Sequence, residues 1–488
     1  MSLKTFSKSL VVYSIGVIAL RLVTFILIPI YTHHLSVSDF GLLMILLGTT
    51  DVFISIIDFG TLRSIVRFSN EYEQNNKRGL ILGSSLIISF VSGISVLILA
   101  IIFLPTVFNF FFNVPEVSNY AVLVVLVSIF STITSNILSY FRALNNVKYF
   151  TVYSILMAIG FAIATIFFVV ILEWGITGVL LAQICIYGLF TLILLINLYH
   201  EKALSYSKET IKLVLKFGFP LIFARLSEGS ISTVISYMLS FFASLKEVGI
   251  YSLANKMTQV ITVLVITPFQ MSYEPYIYTQ LNENDLDTKI SRIVTYFIFG
   301  YVIITLLLLI VYRDLIKIMA PKEYYSAFYL SFFLVPLYLF KGIQQVAQSL
   351  LHIKNFTKST GWAMSSSAVI SIVVGYFTLK PYGIWAAVFA NNLYWFLIAV
   401  VLLKLGLKTF YIRFETKRII MLGLIYLVFN FSIYFLASTS TIIYYSLILL
   451  LIILTCVLLV FTNFFNSNEK LAIKEIARKF LYLTFRIR

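Results

Sequence analysis

Unbroken apolar runs of about twenty residues recur along the whole chain, and they constrain it more than any other feature. They fall at roughly 10–30, 41–62, 80–104, 120–141, 150–172 and 177–199, then at 213–243, 250–279, 293–312, 326–350, 361–379 and 383–403. Two more lie at 419–437 and 442–462. As a helix, each run matches the thickness of bilayer hydrocarbon. The in–out alternation of a transmembrane barrel strand is missing from them. The expectation is therefore an all-α integral membrane protein with about fourteen transmembrane helices.

Composition agrees, since 60% of the 488 residues are hydrophobic and 11% are charged. A soluble chain of this length needs far more charge on its surfaces. The net charge of +16 does not indicate nucleic acid, because the basic residues are spread over short loops rather than gathered in one patch. Cys185 and Cys456 both lie in apolar runs, which leaves no disulfide framework or metal cluster to build. Met1–Lys8 has the character of a signal n-region, but the following run carries Arg21 and shows no small-residue cleavage site before Pro29, so it is expected to be the first span.

Basic residues orient the spans. The alternate loops and termini assigned to the cytoplasm carry 26 Lys and Arg, whereas the opposite loops carry only Lys246, Arg313, Lys317, Lys322 and Lys380. The positive-inside rule then places both termini in the cytoplasm, as an even number of spans requires. Two basic stretches, Arg63–Arg78 and the tail Glu469–Arg488, are expected to lie on the inner leaflet as anchors.

Short motifs recur at a constant offset. Ser36-Val37-Ser38-Asp39-Phe40-Gly41 and Ser244-Leu245-Lys246-Glu247-Val248-Gly249 align with a shift of about 208 residues, as do Trp174-Gly175-Ile176 and Tyr382-Gly383-Ile384. Gln183 falls on Asn391 in the same register. Such a parallel duplication gives two pseudo-symmetric six-helix lobes, at 1–212 and 213–404, followed by two additional helices at 405–462 and a basic tail at 463–488.

Ionisable groups inside spans are costly, roughly 2.5–3.5 kcal/mol each on insertion scales, so they face protein or a wet cavity. Here they concentrate in a few runs: Arg21, Asp51, Asp58, Arg225, Glu228, Lys256, Glu274 and Lys341. Asp51, Ser55 and Asp58 share one helical face, and Lys341, Gln344, Gln345 and Gln348 form a polar stripe. Arg225 and Glu228, three apart, are placed to neutralise each other, and Arg21 to pair with Asp51 or Asp58. Asp39 is expected to cap the second span. His33-His34 point in different directions on a helix and make a poor metal site. No phosphate-binding glycine loop, nucleophile elbow or metal-ligand set is present, so neither an enzyme nor a cofactor is expected.

The segment Gly16–Gly79, with Pro29, Tyr31, Leu35, Asp39, Phe40 and Gly41, resembles the polysaccharide transporters, the Wzx-type O-antigen and capsule repeat-unit flippases. Lys380-Pro381-Tyr382-Gly383-Ile384-Trp385-Ala386-Ala387 looks like the same family's segment before span 12, and the resemblance covers about residues 8–405. It implies a bacterial inner-membrane flippase of the superfamily that includes lipid II flippases and multidrug extruders. Its lobes would enclose a cationic cavity and move a polyprenyl-diphosphate-linked oligosaccharide by alternating access, for lipopolysaccharide, capsule or exopolysaccharide synthesis. Membrane lipids and the polysaccharide polymerase and chain-length machinery are the implied partners. For such a cargo, Arg21, Arg225, Lys256 and Lys341 would meet the diphosphate. Gln259, Gln344, Gln345, Gln348 and Asn391 would meet the sugars, and Asp51, Asp58 and Glu228 are the candidates for ion coupling or ion pairing. A multidrug or cation extruder, a lipid II flippase and a membrane polysaccharide polymerase are the alternative readings. The polymerase lacks the long outer loop it needs.

Overall fold

The computed structural model describes residues 22–69, 78–112, 119–144, 146–200, 204–279, 286–353, 356–409, 412–437, 439–461, 464–465 and 470. Among them there is no strand. The helices are α1 (Ile28–His34), α2 (Val37–Asp58), α3 (Thr61–Phe68), α4 (Arg78–Phe112), α5 (Tyr120–Ala143), α6 (Val147–Thr165), α7 (Gly175–His200) and α8 (Lys208–Phe242). They continue with α9 (Leu245–Ile261), α10 (Thr267–Thr279), α11 (Leu286–Met319), α12 (Ala327–Ile353), α13 (Thr357–Tyr382), α14 (Ile384–Thr409), α15 (Thr416–Leu436) and α16 (Thr441–Phe461). A π-helical turn, Ile166–Ile171, extends α6, and another, Thr262–Ile266, joins α9 to α10.

Among the described residues, ten stretches are long and apolar enough to cross a membrane, and one of them, Ser359–Lys408, holds both α13 and α14. Three shorter apolar helices accompany them. Much apolar surface faces outward: on α4, Ile102 and Phe103 are 60% and 61% exposed. A belt of that kind would be an aggregation surface in water and is the ordinary face of a helix in lipid. This is the fold of an all-α integral membrane protein.

Local chemistry fixes the helix starts. Ser36 caps α2 by accepting from Asp39 N (3.0 Å) and donates its hydroxyl to the Asp39 carboxylate (2.7 Å). The cap is thus Ser36, with Asp39 as its partner three residues on, and not Asp39 itself. Ser244 caps α9 in the same way, accepting from Glu247 N at 3.2 Å. The Glu247 carboxylate reaches further and accepts from Ile384 N (3.0 Å), holding the start of α14. Gly175, the first residue of α7, and Gly383, which precedes α14, both adopt positive φ, 52° and 50°.

The crossing of α2 and α9 is reciprocal. A Cβ on Gly41 would overlap the Leu245 carbonyl oxygen, and one on Gly249 would overlap that of Val37. Only glycine lets the two backbones approach so closely, an arrangement common between membrane helices.

The chain forms two compact units, residues Met1–Tyr278 with Asp314–Phe410, and residues Thr279–Arg313 with Tyr411–Arg488. In the second unit, α11 packs with α15 and α16. Tyr301 meets Tyr426 at 6.2 Å, and Tyr444 donates to Ile310 O (3.3 Å). Arg313 donates to Thr439 O (2.9 Å) while lying over the Tyr444 ring at 4.7 Å.

Candidate functional site

In the first unit, five long helices and the short α3 surround a polar cavity of about 510 Å³. Each long helix contributes through residues three or four apart, the spacing that aligns one face. From α2 come Gly48, Asp51 and Ser55, and from α8 come Arg225, Gly229, Ser232 and Ser236. From α9 come Ser252, Asn255, Lys256 and Gln259. Tyr338 and Lys341 on α12, and Asn391 and Trp395 on α14, complete the wall. In a bundle whose outer faces are apolar, such stripes tolerate the membrane interior because they face a shared cavity.

Four cations line this space, Arg63, Arg225, Lys256 and Lys341, against one carboxylate, Asp51. Lys256 and Arg225 both act electrostatically on Asp51. The Lys341 ammonium lies 4.8 Å above the Trp395 ring, so an aromatic face steadies it within the bundle. Within the wall, Asn391 donates to the Tyr251 hydroxyl (2.8 Å), and Asn255 donates to Ser232 (3.4 Å) between α9 and α8.

Arg225 is paired with Asp58. The two residues lie on α8 and at the end of α2, and Asp58 is 2% exposed. Its carboxylate also accepts from Thr61 Oγ1 (2.9 Å) and Leu62 N (3.0 Å) at the start of α3. Asn136 on α5 donates to Thr61 (3.0 Å) and Ser89 (2.9 Å), so this buried network draws together several helices.

Of the residues singled out in the sequence, Asp51, Arg225, Lys256, Gln259, Lys341 and Asn391 are brought together around the cavity. The polar stripe of α12 divides: Lys341 reaches the cavity, whereas Gln344 is fully buried and bonds to Gln348 along the helix. Gln345 is half-buried on that helix, and its carbonyl accepts from Ser349 at 3.0 Å. Gln344, Gln345 and Gln348 are not among the residues that line the cavity. Arg21 lies outside the described residues, as does the side chain of Glu228, whose backbone belongs to α8.

Arg63, from the basic stretch expected on the inner leaflet, lines the cavity. The reason is the corner after α2: Phe59 and Gly60 take left-handed φ values of 47° and 75°, and α3 turns back from there. The Asp58-Phe59-Gly60 sequence at the end of an apolar run is the signal that marks such a stop. Tyr251, Tyr338 and Trp395 also escape a reading of the sequence, because a chain with 45 Phe and 31 Tyr residues offers no contrast by which to choose them.

The family model described as polysaccharide biosynthesis protein matches residues 6–281. The structure is similar to that of the lipid II flippase MurJ in an inward closed conformation, with a TM-score of 0.68 and 15% identity over 93% of this chain and 98% of that one. It is also similar to an inward-facing multidrug resistance MATE family transporter of the MOP superfamily, with a TM-score of 0.65 and 14% identity over 87% and 96% of the two chains. A third similar structure, the MATE multidrug transporter DinF-BH, has a TM-score of 0.61 and 18% identity over 85% and 98%. No curated protein matches the chain. At such identities the likeness is one of fold.

Proposed function

The chain belongs to the polysaccharide biosynthesis protein family, and from that premise we propose that it is a flippase for polyprenyl-diphosphate-linked oligosaccharides. The cargo is the repeat unit of an O-antigen, capsule or exopolysaccharide, carried across a bacterial inner membrane. The observation that carries this reading is the charge of the cavity, four cations against one carboxylate inside an apolar bundle. A diphosphate headgroup is the complement of such a space, and guanidinium and ammonium donors are strong when water is largely excluded. A cationic drug would meet repulsion there.

In this mechanism Arg63, Arg225, Lys256 and Lys341 receive the diphosphate, and Gln259 and Asn391 meet the first sugars. The lipid tail stays in the bilayer. Two six-helix lobes, 1–212 and 213–404, rock about the site, with the helices of 405–462 as an addition and fourteen spans in all. The matched caps at Ser36 and Ser244, and the reciprocal crossing of α2 and α9, support this duplication. The loop charges support cytoplasmic termini. No bond is made or broken, and Asp51 couples the movement to an ion gradient by taking up and releasing a proton. A polymerase and chain-length machinery act on the delivered unit.

The test is surface glycan analysis in a deletion strain complemented with wild type, Lys256→Ala or Lys341→Ala. The flippase reading expects loss of glycan, accumulation of lipid-linked units inside, and failure of folded variants to rescue. Unchanged glycan with new sensitivity to cationic compounds would install the extruder in its place.

A further inference from the structure

We infer that Arg225 is shared between two anions, the Asp58 carboxylate and the diphosphate of the cargo, so that loading the cavity unfastens the α2–α3 corner from α8. This rests on the flippase reading and adds to it the means by which cargo is sensed.

The first observation is an asymmetry of access. The Arg225 side chain is 35% exposed and lines the cavity, whereas the Asp58 side chain is 3% exposed and lies behind it. An anion in the cavity can therefore reach the cation of the pair without reaching the acid. The second is that Asp58 holds substitutes. Thr61 Oγ1 and Leu62 N already donate to one of its oxygens, and both belong to the first turn of α3. A helix N-terminus suits a carboxylate, so Asp58 keeps hydrogen-bond donors when Arg225 leaves. Arg225 gains a substitute for Asp58 when a phosphate arrives in the cavity it lines. Two anions held on one guanidinium would repel each other strongly in a medium of low dielectric, so occupation by one weakens the hold on the other.

What the pair fastens is also visible. The corner rests on α8 where a Cβ on Gly60 or Gly218 would overlap the opposing backbone. Phe59 meets Phe219 at 6.0 Å, and Phe68 meets Phe217 at 5.3 Å. Arg67 covers the Phe217 ring at 4.8 Å, away from the cavity lining. These contacts are short-ranged and indifferent to an anion in the cavity. The Asp58–Arg225 pair is the part of this joint that such an anion can reach. Arg63 and Lys256, which also line the cavity, hold the diphosphate once it is bound.

The experiment uses the full chain in lipid nanodiscs, with its two cysteines replaced and spin labels on Val66 of α3 and Lys216 of α8. The probe is farnesyl diphosphate, with farnesol as the uncharged control. Farnesyl diphosphate should lengthen the label distance and farnesol should not. Asp58→Asn should show the longer distance without ligand. It should also bind farnesyl diphosphate more tightly, by roughly fivefold or more, because a competitor for Arg225 has been removed. A pair that served only the fold would give weaker or unchanged binding in that variant. Arg225→Gln should show the longer distance and no further response. Binding without lengthening in wild type, or weaker or unchanged binding by Asp58→Asn, overturns the exchange and leaves the flippase reading intact. No binding of farnesyl diphosphate by wild type overturns both.

Discussion

The two ends of α2 are joined to the second half of the chain by different physics. At its Val37 end, the helix meets α9 through Gly41 and Gly249, with backbone against backbone. At its Asp58 end, the corner with α3 meets α8 through Gly60 and Gly218, and there a buried carboxylate grips an arginine as well. Both ends use glycine to bring backbones close. Only one adds an ion pair that the cavity can address. Packing of the first kind is lost only when the helices separate, while the second kind can be weakened by a change of charge alone.

The largest effect should come from the Val37 end. Gly41→Leu or Gly249→Leu forces a side chain into a carbonyl oxygen, and a loss of about 3 kcal/mol or failure to fold is expected, read by thermal unfolding in detergent. If either variant folds with unchanged stability, the crossing does not hold that end. Next comes Asp58→Ala, which strands Arg225 and removes the acceptor at the start of α3. Because Arg225 is about one-third exposed, the expected cost is about 2 kcal/mol rather than that of a fully buried pair.

Cap removal is smaller. Ser36→Ala and Ser244→Ala should each cost about 1 kcal/mol. Equal costs would fit a duplicated helix start, and unequal ones would show that the two halves use the motif differently. The smallest effect expected is that of salt. Raising ionic strength should increase hydrogen exchange at the α2–α3 corner by a modest factor and leave the Gly41–Gly249 crossing unchanged. An equal response at both ends would erase the distinction.

The helices are legible in the sequence because apolar length alone sets them. Every apolar run falls on a helix where the residues are described, although the run at 41–62 is cut by the corner at Phe59 and Gly60. The cavity is half legible. Asp51, Lys256 and Lys341 stand out since charge in an apolar run needs a reason, and they do meet around one space. The pairing of Arg225 with Asp58 is hidden, as 167 positions separate them and Glu228 offers a nearer acid. The glutamines of α12 share a stripe with Lys341, yet helical spacing gives a direction and not a depth, and Gln344 is sealed inside. One bend in the backbone is enough to bring Arg63 to the cavity, which the sequence does not show.

The stacking of Lys341 on Trp395 gives the protein an optical property of its own. Of its four tryptophans, Trp174, Trp362 and Trp385 are 48%, 78% and 46% exposed, whereas Trp395 is 5% exposed and carries an ammonium 4.8 Å from its ring. Indole emission responds to the electric field across the ring, so a neighbouring positive charge leaves a spectral mark, and an arriving anion changes it. With the other three replaced by phenylalanine, the unlabelled protein would report in its own fluorescence what enters its centre.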